Sequence, residues 1–256
     1  MNDAMAFRSD SFPSEPPERI GIDEVRLRGE FRTVLLDGNL RRIWMILPDN
    51  SGETVASFLK SLPNPGKVRV VATDFNHVHI RAARKSLPGA IIEIDRCWVE
   101  QLLILCVAKA RIEEGRRLIA AAVEERGAAI QFPSDPETRA ALQDELHARA
   151  KEKVKSLNRD SRLLRMPLER LDPSDRIEVE AWLGSLPLLR EVHELAQKVH
   201  GLYDSDIAPE TAEAYLNQWN AGLSSEAIQY LRCFLRCIRT HMPEVCAYWA
   251  TNYDHN

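Results

Sequence analysis

The sequence predicts an α/β fold: a mixed sheet with flanking helices, followed by an all-helical region. Three observations predict it. Three strand-like runs follow one another near the N-terminus, two short β-branched runs then alternate with helical patterns, and strand signals vanish beyond Trp98.

Residues 1 to 18 mix Ser, Pro and acidic residues without apolar periodicity and read as a disordered lead-in. The strand-like runs are Arg19 to Arg28, Phe31 to Asp37 and Arg41 to Leu47. Gly29-Glu30 and Gly38-Asn39 separate them, as tight turns in an antiparallel meander would. From Asn50 to Leu62, the residues Val55, Phe58, Leu59 and Leu62 recur at i, i+3, i+4 and i+7, with Asn50 or Ser51 available as cap, which predicts a helix with one buried face. Pro63, Pro65 and Gly66 stop it.

Val68 to Thr73 is a short apolar run suited to a strand buried on both faces, and Asp74 stands at its end. A second helix spans about His77 to Leu87, with Ile80, Ala83 and Leu87 on one side. Pro88 and Gly89 lead into a strand at Ala90 to Ile94, closed by Asp95. Three strands, helix, strand, helix, strand, helix is the order of the ribonuclease-H-like fold.

Leu102 to Val123 reads as a long helix, and apolar residues recur at helical spacing through Val192-Leu195-Val199-Leu202, Ala212-Tyr215-Leu216-Trp219 and Ile228-Leu231-Leu235-Ile238. The expected organisation is therefore a lead-in (1–18), a core (19–125) and a helical subdomain (126–256).

At 256 residues, 45% hydrophobic and 28% charged, the chain can bury a substantial core. No apolar run approaches the roughly 20 residues of a membrane span, and the N-terminus lacks a basic-then-apolar leader pattern, so a cytoplasmic location is expected. Five dispersed cysteines in such a chain are expected to be reduced. The net charge of -4 gives no whole-molecule attraction for nucleic acid, so any DNA contact must come from local basic patches or bound metal.

Asp23 interrupts the apolar stretch Ile20-Gly21-Ile22-Asp23-Glu24, and Asp74 ends a buried strand. In the expected topology these two strands are neighbours, so the two acids meet. Adjacent carboxylates repel unless protonated or bridged by a cation, and hard oxygen ligands favour magnesium or manganese. Two such ions could activate a water or a 3′-hydroxyl for in-line attack on a phosphodiester. The plain alternative makes both aspartates caps of turns or helices. Glu24 adjoins Asp23, although strand alternation points it to the opposite face; Asp95 shares a face with Glu93 and could add a carboxylate.

A basic stretch, Arg149, Lys151, Lys153, Lys155, Arg159, Arg162 and Arg165, could track a phosphate backbone or form a solvated helix face. Zinc is not expected, because Cys233 and His241, on an apparently continuous helix, are about 12 Å apart along its axis.

The run from Ile20-Gly21-Ile22-Asp23-Glu24 through Asp74-Phe75 to Leu87-Pro88-Gly89-Ala90 and Asp95-Arg96 resembles the ISL-three family of bacterial insertion-sequence transposases. Arg162-Leu163-Leu164, Leu202-Tyr203-Asp204 and Ala214-Tyr215-Leu216 with Trp219 are similar to that family's helical insertion. The resemblance implies a DDE transposase in which two aspartates, here Asp23 and Asp74, and a distant glutamate bind divalent metal and drive DNA cleavage and strand transfer. It implies DNA, as transposon ends and target, as partner, with a homodimer as candidate assembly and a bacterial, nucleoid-associated setting.

Two departures stand out. The family's glutamate helix is expected after an Asn-containing turn and is read as missing here, and Asp95-Arg96 continues into Cys97-Trp98 rather than an aromatic and a histidine. Two further functions therefore stay open: a ribonuclease-H-like nuclease completed by Asp95 or Glu24, and a non-catalytic, transposase-derived DNA-binding or assembly protein.

Overall fold

The computed structural model describes residues 15–129, 135–219 and 221–251, without the side chains of 125–129. The first strand, β1 (Arg19–Leu27), turns at Arg28 and Gly29, whose φ angles are 51° and 90°. Both residues thus occupy the left-handed region that a two-residue hairpin demands, and glycine takes the second position without strain. β2 (Glu30–Asp37) returns antiparallel, with Ile22 opposite Leu35 and Leu27 opposite Glu30.

At the next turn the Asp37 carboxylate accepts from the Asn39 and Leu40 amides at 3.0 Å each, a side-chain substitute for backbone pairing. β3 (Arg42–Ile46) completes the meander, with an irregularity in register at Leu35/Leu36. The helix α1 (Gly52–Lys60) is capped by Ser51, whose hydroxyl accepts from Thr54, and buries Val55, Phe58 and Leu59.

β4 (Val70–Thr73), all four residues buried, lies parallel to β1. After α2 (His77–Ser86), β5 (Ile91–Ile94) runs parallel to β4. The five-stranded sheet has the order β3-β2-β1-β4-β5. The expected sequence of elements and the adjacency of the first and fourth strands are both present, and the fold is the α/β, ribonuclease-H-like class. A crossover through α1 is what lets β4 pair in parallel with β1, since parallel neighbours require a connection over the sheet face.

The remaining elements are helical: α3 (Arg96–Ala129), α4 (Pro136–Arg159), α5 (Pro173–Ser185), α6 (Pro187–Tyr203), α7 (Pro209–Gln218), α8 (Ser225–Thr240) and α9 (Met242–Ala250). α3 begins six residues before the expected Leu102 because Asp95 acts as its cap, its side chain accepting from the Cys97 amide at 2.9 Å. The helix expected to carry both Cys233 and His241 is instead interrupted, as α8 stops at Thr240 and Pro243 opens the first turn of α9.

The chain divides into two compact units. One comprises the described residues of Met1–Val99, Asp206–Asn217 and Cys237–Asn256; the other comprises those of Glu100–Ser205 and Gln218–Arg236. The first has its core between the sheet and its helices, at Ile20, Ile22, Leu35, Phe58, Leu59, Val71, Ala83 and Ile94. The second is built on Leu103, Leu157, Leu164, Val179, Leu189, Val192, Val199 and Phe234. Among the described residues, no helix is long and apolar enough to cross a membrane.

Candidate functional site

Parallel pairing sets Ile22 of β1 beside Thr73 of β4, and Thr73 beside Ile94 of β5. One residue further along each chain come Asp23, Asp74 and Asp95. Three aspartates thus stand in a row where the parallel pairing ends, the edge at which open α/β sheets commonly place their ligands.

Their side chains have different commitments. Asp23 accepts from the Glu24 amide at 2.7 Å. Asp74 accepts from the Asn76 amide at 2.9 Å and from the Thr73 hydroxyl at 3.4 Å. Asp95 is taken up by the start of α3. Among the described residues no group of three or more His, Cys, Asp or Glu side chains is arranged to hold a metal ion.

Burial pushes the Asp23 carboxyl above the usual aspartate range; the Glu24 amide pulls it down, and the neighbouring negative charge of Asp74 pushes it up again. Burial acts on Asp74 in the same direction, but the His79 ring and the Asn76 amide outweigh it and leave Asp74 below its ordinary value. The two neighbouring carboxyls are thus shifted in opposite directions, Asp23 up and Asp74 down.

Glu24 is half-buried and accepts from the Asn76 side-chain amide at 2.9 Å and the Asn50 amide at 3.4 Å. Asn76 also caps α2 through its Oδ1, which accepts from the Val78 amide at 2.9 Å. A single asparagine therefore ties the end of β4, the start of α2 and the Glu24 carboxylate together.

His79 is the residue that sequence reasoning missed. It sits in the first turn of α2, fully buried, with Nδ1 3.8 Å from Asp74 Oδ1 and Nε2 3.8 Å from Glu24 Oε1. Neither ring nitrogen makes a hydrogen bond. Its position five residues after Asp74, beside the buried stripe of Ile80 and Ala83, was the available signal.

The basic residues of α4 and the segment after it are exposed. Arg149 pairs with Glu145 at 2.5 Å, Lys155 with Glu152 at 3.7 Å and Arg159 with Asp160 at 2.7 Å. Lys151, Lys153, Arg162 and Arg165 are exposed on the same stretch. Local acids thus pair with three of these seven cations.

No curated protein shows significant similarity to the chain. The model of a transposase family, the DDE transposases of the ISL3 type, matches residues 20–256. That match spans both the sheet with its row of aspartates and the helices that follow, and the chain belongs to the ISL3-type DDE transposase family.

Proposed function

We propose that Asp23 and Asp74 are catalytic carboxylates that hold a divalent ion, magnesium or manganese, for cleavage and strand transfer of insertion-sequence DNA. One observation carries this reading: parallel pairing of β1 with β4 sets the two aspartates at neighbouring positions, in a chain of a family that generally uses divalent metal. The donor chemistry fits. Magnesium is commonly held by one or two carboxylates, its other positions being filled by water and substrate phosphates. A bound ion would supply Lewis-acid stabilisation of the phosphodiester and a more acidic attacking water or 3′-hydroxyl.

The protein's own contribution is orientation. The Asn76 amide fixes the Asp74 carboxylate, the Glu24 amide fixes that of Asp23, and the buried His79 ring lies 3.8 Å from both Asp74 and Glu24. The Glu244 carboxylate of α9 forms an ion pair with Arg84.

Manganese titration by calorimetry tests the reading. Asp23→Asn and Asp74→Asn should each abolish the binding isotherm, and undiminished affinity in Asp74→Asn would end it. A nuclease completed by Glu24 is the second reading, favoured by the shared approach of Glu24 and Asp74 to one imidazole. Metal-dependent cleavage by this chain that disappears in Glu24→Gln would select it. For the same reading with Asp95, loss of cleavage in Asp95→Asn is the corresponding result. DNA binding without cleavage would identify a non-catalytic derivative.

A further inference from the structure

α2 begins at the carboxylates and leads away from them, and its outer face carries cations only. His77, Ile80, Arg81, Arg84 and Lys85 fall at i, i+3, i+4, i+7 and i+8, a single helical stripe. With His241 they line a cleft of about 430 Å³. Ile80 is 3% exposed and forms its apolar floor, while His77, Arg81, Arg84 and Lys85 are exposed.

The His241 ring packs against Phe75, centroids 5.8 Å apart, so one wall of the cleft touches the residue next to Asp74. The sequence of α2, HVHIRAARKS, contains no acid. One carboxylate, the buried Glu244, reaches the rim, paired with Arg84 and 3.9 Å from His241 Nδ1. Arg81 and Lys85 have no acidic partner among the described residues.

A solvated helix face does not account for this arrangement. On α4, the exposed cations Arg149 and Lys155 are each matched by an acid of the same helix, Glu145 and Glu152. Attraction to the helix C-terminus explains Arg84 and Lys85 in the last turn, but not Arg81 in the middle or His77 in the first turn. The positive field registers on His241, whose pKa is lowered by burial first and then by Arg84 and His77.

We infer that this cleft along α2 is a binding site for the sugar-phosphate backbone of DNA, with Arg81 and Lys85 as its principal phosphate contacts and His77 at the end nearest Asp74. The inference rests on the DNA-processing reading above and names the surface that delivers the strand. Each step from His77 to Arg81 to Lys85 advances about 6 Å along the helix, a spacing on the scale of successive phosphates in one strand. Cations so placed hold any sequence alike, because phosphate contacts position a duplex without reading it.

The test is equilibrium binding of a fluorescein-labelled, random-sequence DNA duplex by the 256-residue chain, in EDTA, from about 50 to 200 mM salt. Arg81→Ala/Lys85→Ala should weaken binding on the order of tenfold and reduce the slope of log affinity against log salt by about 0.9 per contact removed. Arg81→Lys/Lys85→Arg should bind as the wild type does, and so should Arg116→Ala/Arg190→Ala at exposed positions of α3 and α6.

Unchanged affinity and salt slope in the double alanine variant, equal loss in the charge-conserving variant, or no binding by the wild type would overturn the proposal. The metal titration separates it from the reading on which it rests. Manganese binding at the aspartates with no effect of Arg81→Ala/Lys85→Ala defeats this inference alone, whereas loss of DNA binding in a chain that takes no manganese defeats the carboxylate site alone.

Discussion

The His79 Nδ1 atom lies 3.8 Å from Asp74 Oδ1, just beyond hydrogen-bond length, with the imidazole fully buried. A buried polar ring without hydrogen bonds costs roughly 1–3 kcal/mol, which offsets what the ring contributes by favouring the Asp74 anion. His79→Leu, which is close to it in volume, should leave stability to urea within about 1 kcal/mol of wild type. His79→Ala should lose about 2–4 kcal/mol through the cavity it opens. A leucine variant as unstable as the alanine one would mean that the imidazole nitrogens hold the site together.

The two aspartates should respond to pH with opposite signs. Asp23 has a raised folded-state pKa, through burial and then Asp74, so it binds its proton more tightly folded than unfolded. Its favourable contribution is present below its ordinary value of 3.8 and is lost as pH rises through the folded value. Asp74 is lowered, so its contribution is present above 3.8 and is lost as pH falls through the folded value. Asp23→Asn should therefore raise the urea midpoint of metal-free protein at pH 7, and Asp74→Asn should lower it. Both differences should shrink in acid, and the same sign for both variants at pH 7 would contradict the assigned asymmetry.

The order of the elements and the neighbouring strand positions of Asp23 and Asp74 are legible in the sequence because they follow from local signals and a common strand order. Gly29 and Gly38-Asn39 announced the turns, and an acid at the end of an apolar run announced each strand tip. What the sequence hid depends on tertiary closure. Glu24, Asn50 and Asn76 come from three separate elements, and nothing local shows that they converge. His79 was hidden for another reason: the α2 stripe of Ile80, Ala83 and Leu87 explained burial without it, although the buried surface also takes in His79 and Ala82. The early start of α3 is obscured because an aspartate at the end of a strand suits a ligand and a helix cap equally well.

Arg19 and Glu93 form a second pairing that no local pattern announces, 74 residues apart on β1 and β5. Arg19 Nη2 donates to Glu93 Oε1 at 2.6 Å, and the Thr251 hydroxyl donates to Oε2 at 3.0 Å. Burial raises the Glu93 pKa in spite of both partners. Its contribution to stability is therefore present below the ordinary 4.5 and is lost as pH rises through the folded value. Arg19→Ala strands a buried anion and should cost about 3–5 kcal/mol at pH 7. The cost should fall at lower pH, where Glu93 takes up a proton, and a pH-independent loss would assign the effect to packing of the arginine stem.

Glu114 offers the clearest test in the helical unit, because it performs a task that α6 cannot perform for itself. A helix begins with amides that have no partner within it, and a side chain of the cap residue usually accepts from one. Leu186, at the cap of α6, has no acceptor in its side chain, and Pro187 removes one amide from the first turn. Glu114 of α3, 3% exposed, supplies the acceptor from 74 residues away, taking the Leu188 amide at 2.7 Å and the Leu189 amide at 3.4 Å. Its negative charge also opposes the positive end of the helix dipole. Glu114→Gln keeps the carbonyl acceptor but loses the charge and should cost about 1 kcal/mol. Glu114→Ala leaves both amides buried without an acceptor and should cost about 3 kcal/mol. Hydrogen exchange localises the effect: the Leu188 and Leu189 amides should lose protection in Glu114→Ala before the rest of α6 does. If those two amides stay as slow as in the wild type, the remote cap is not what secures the start of α6.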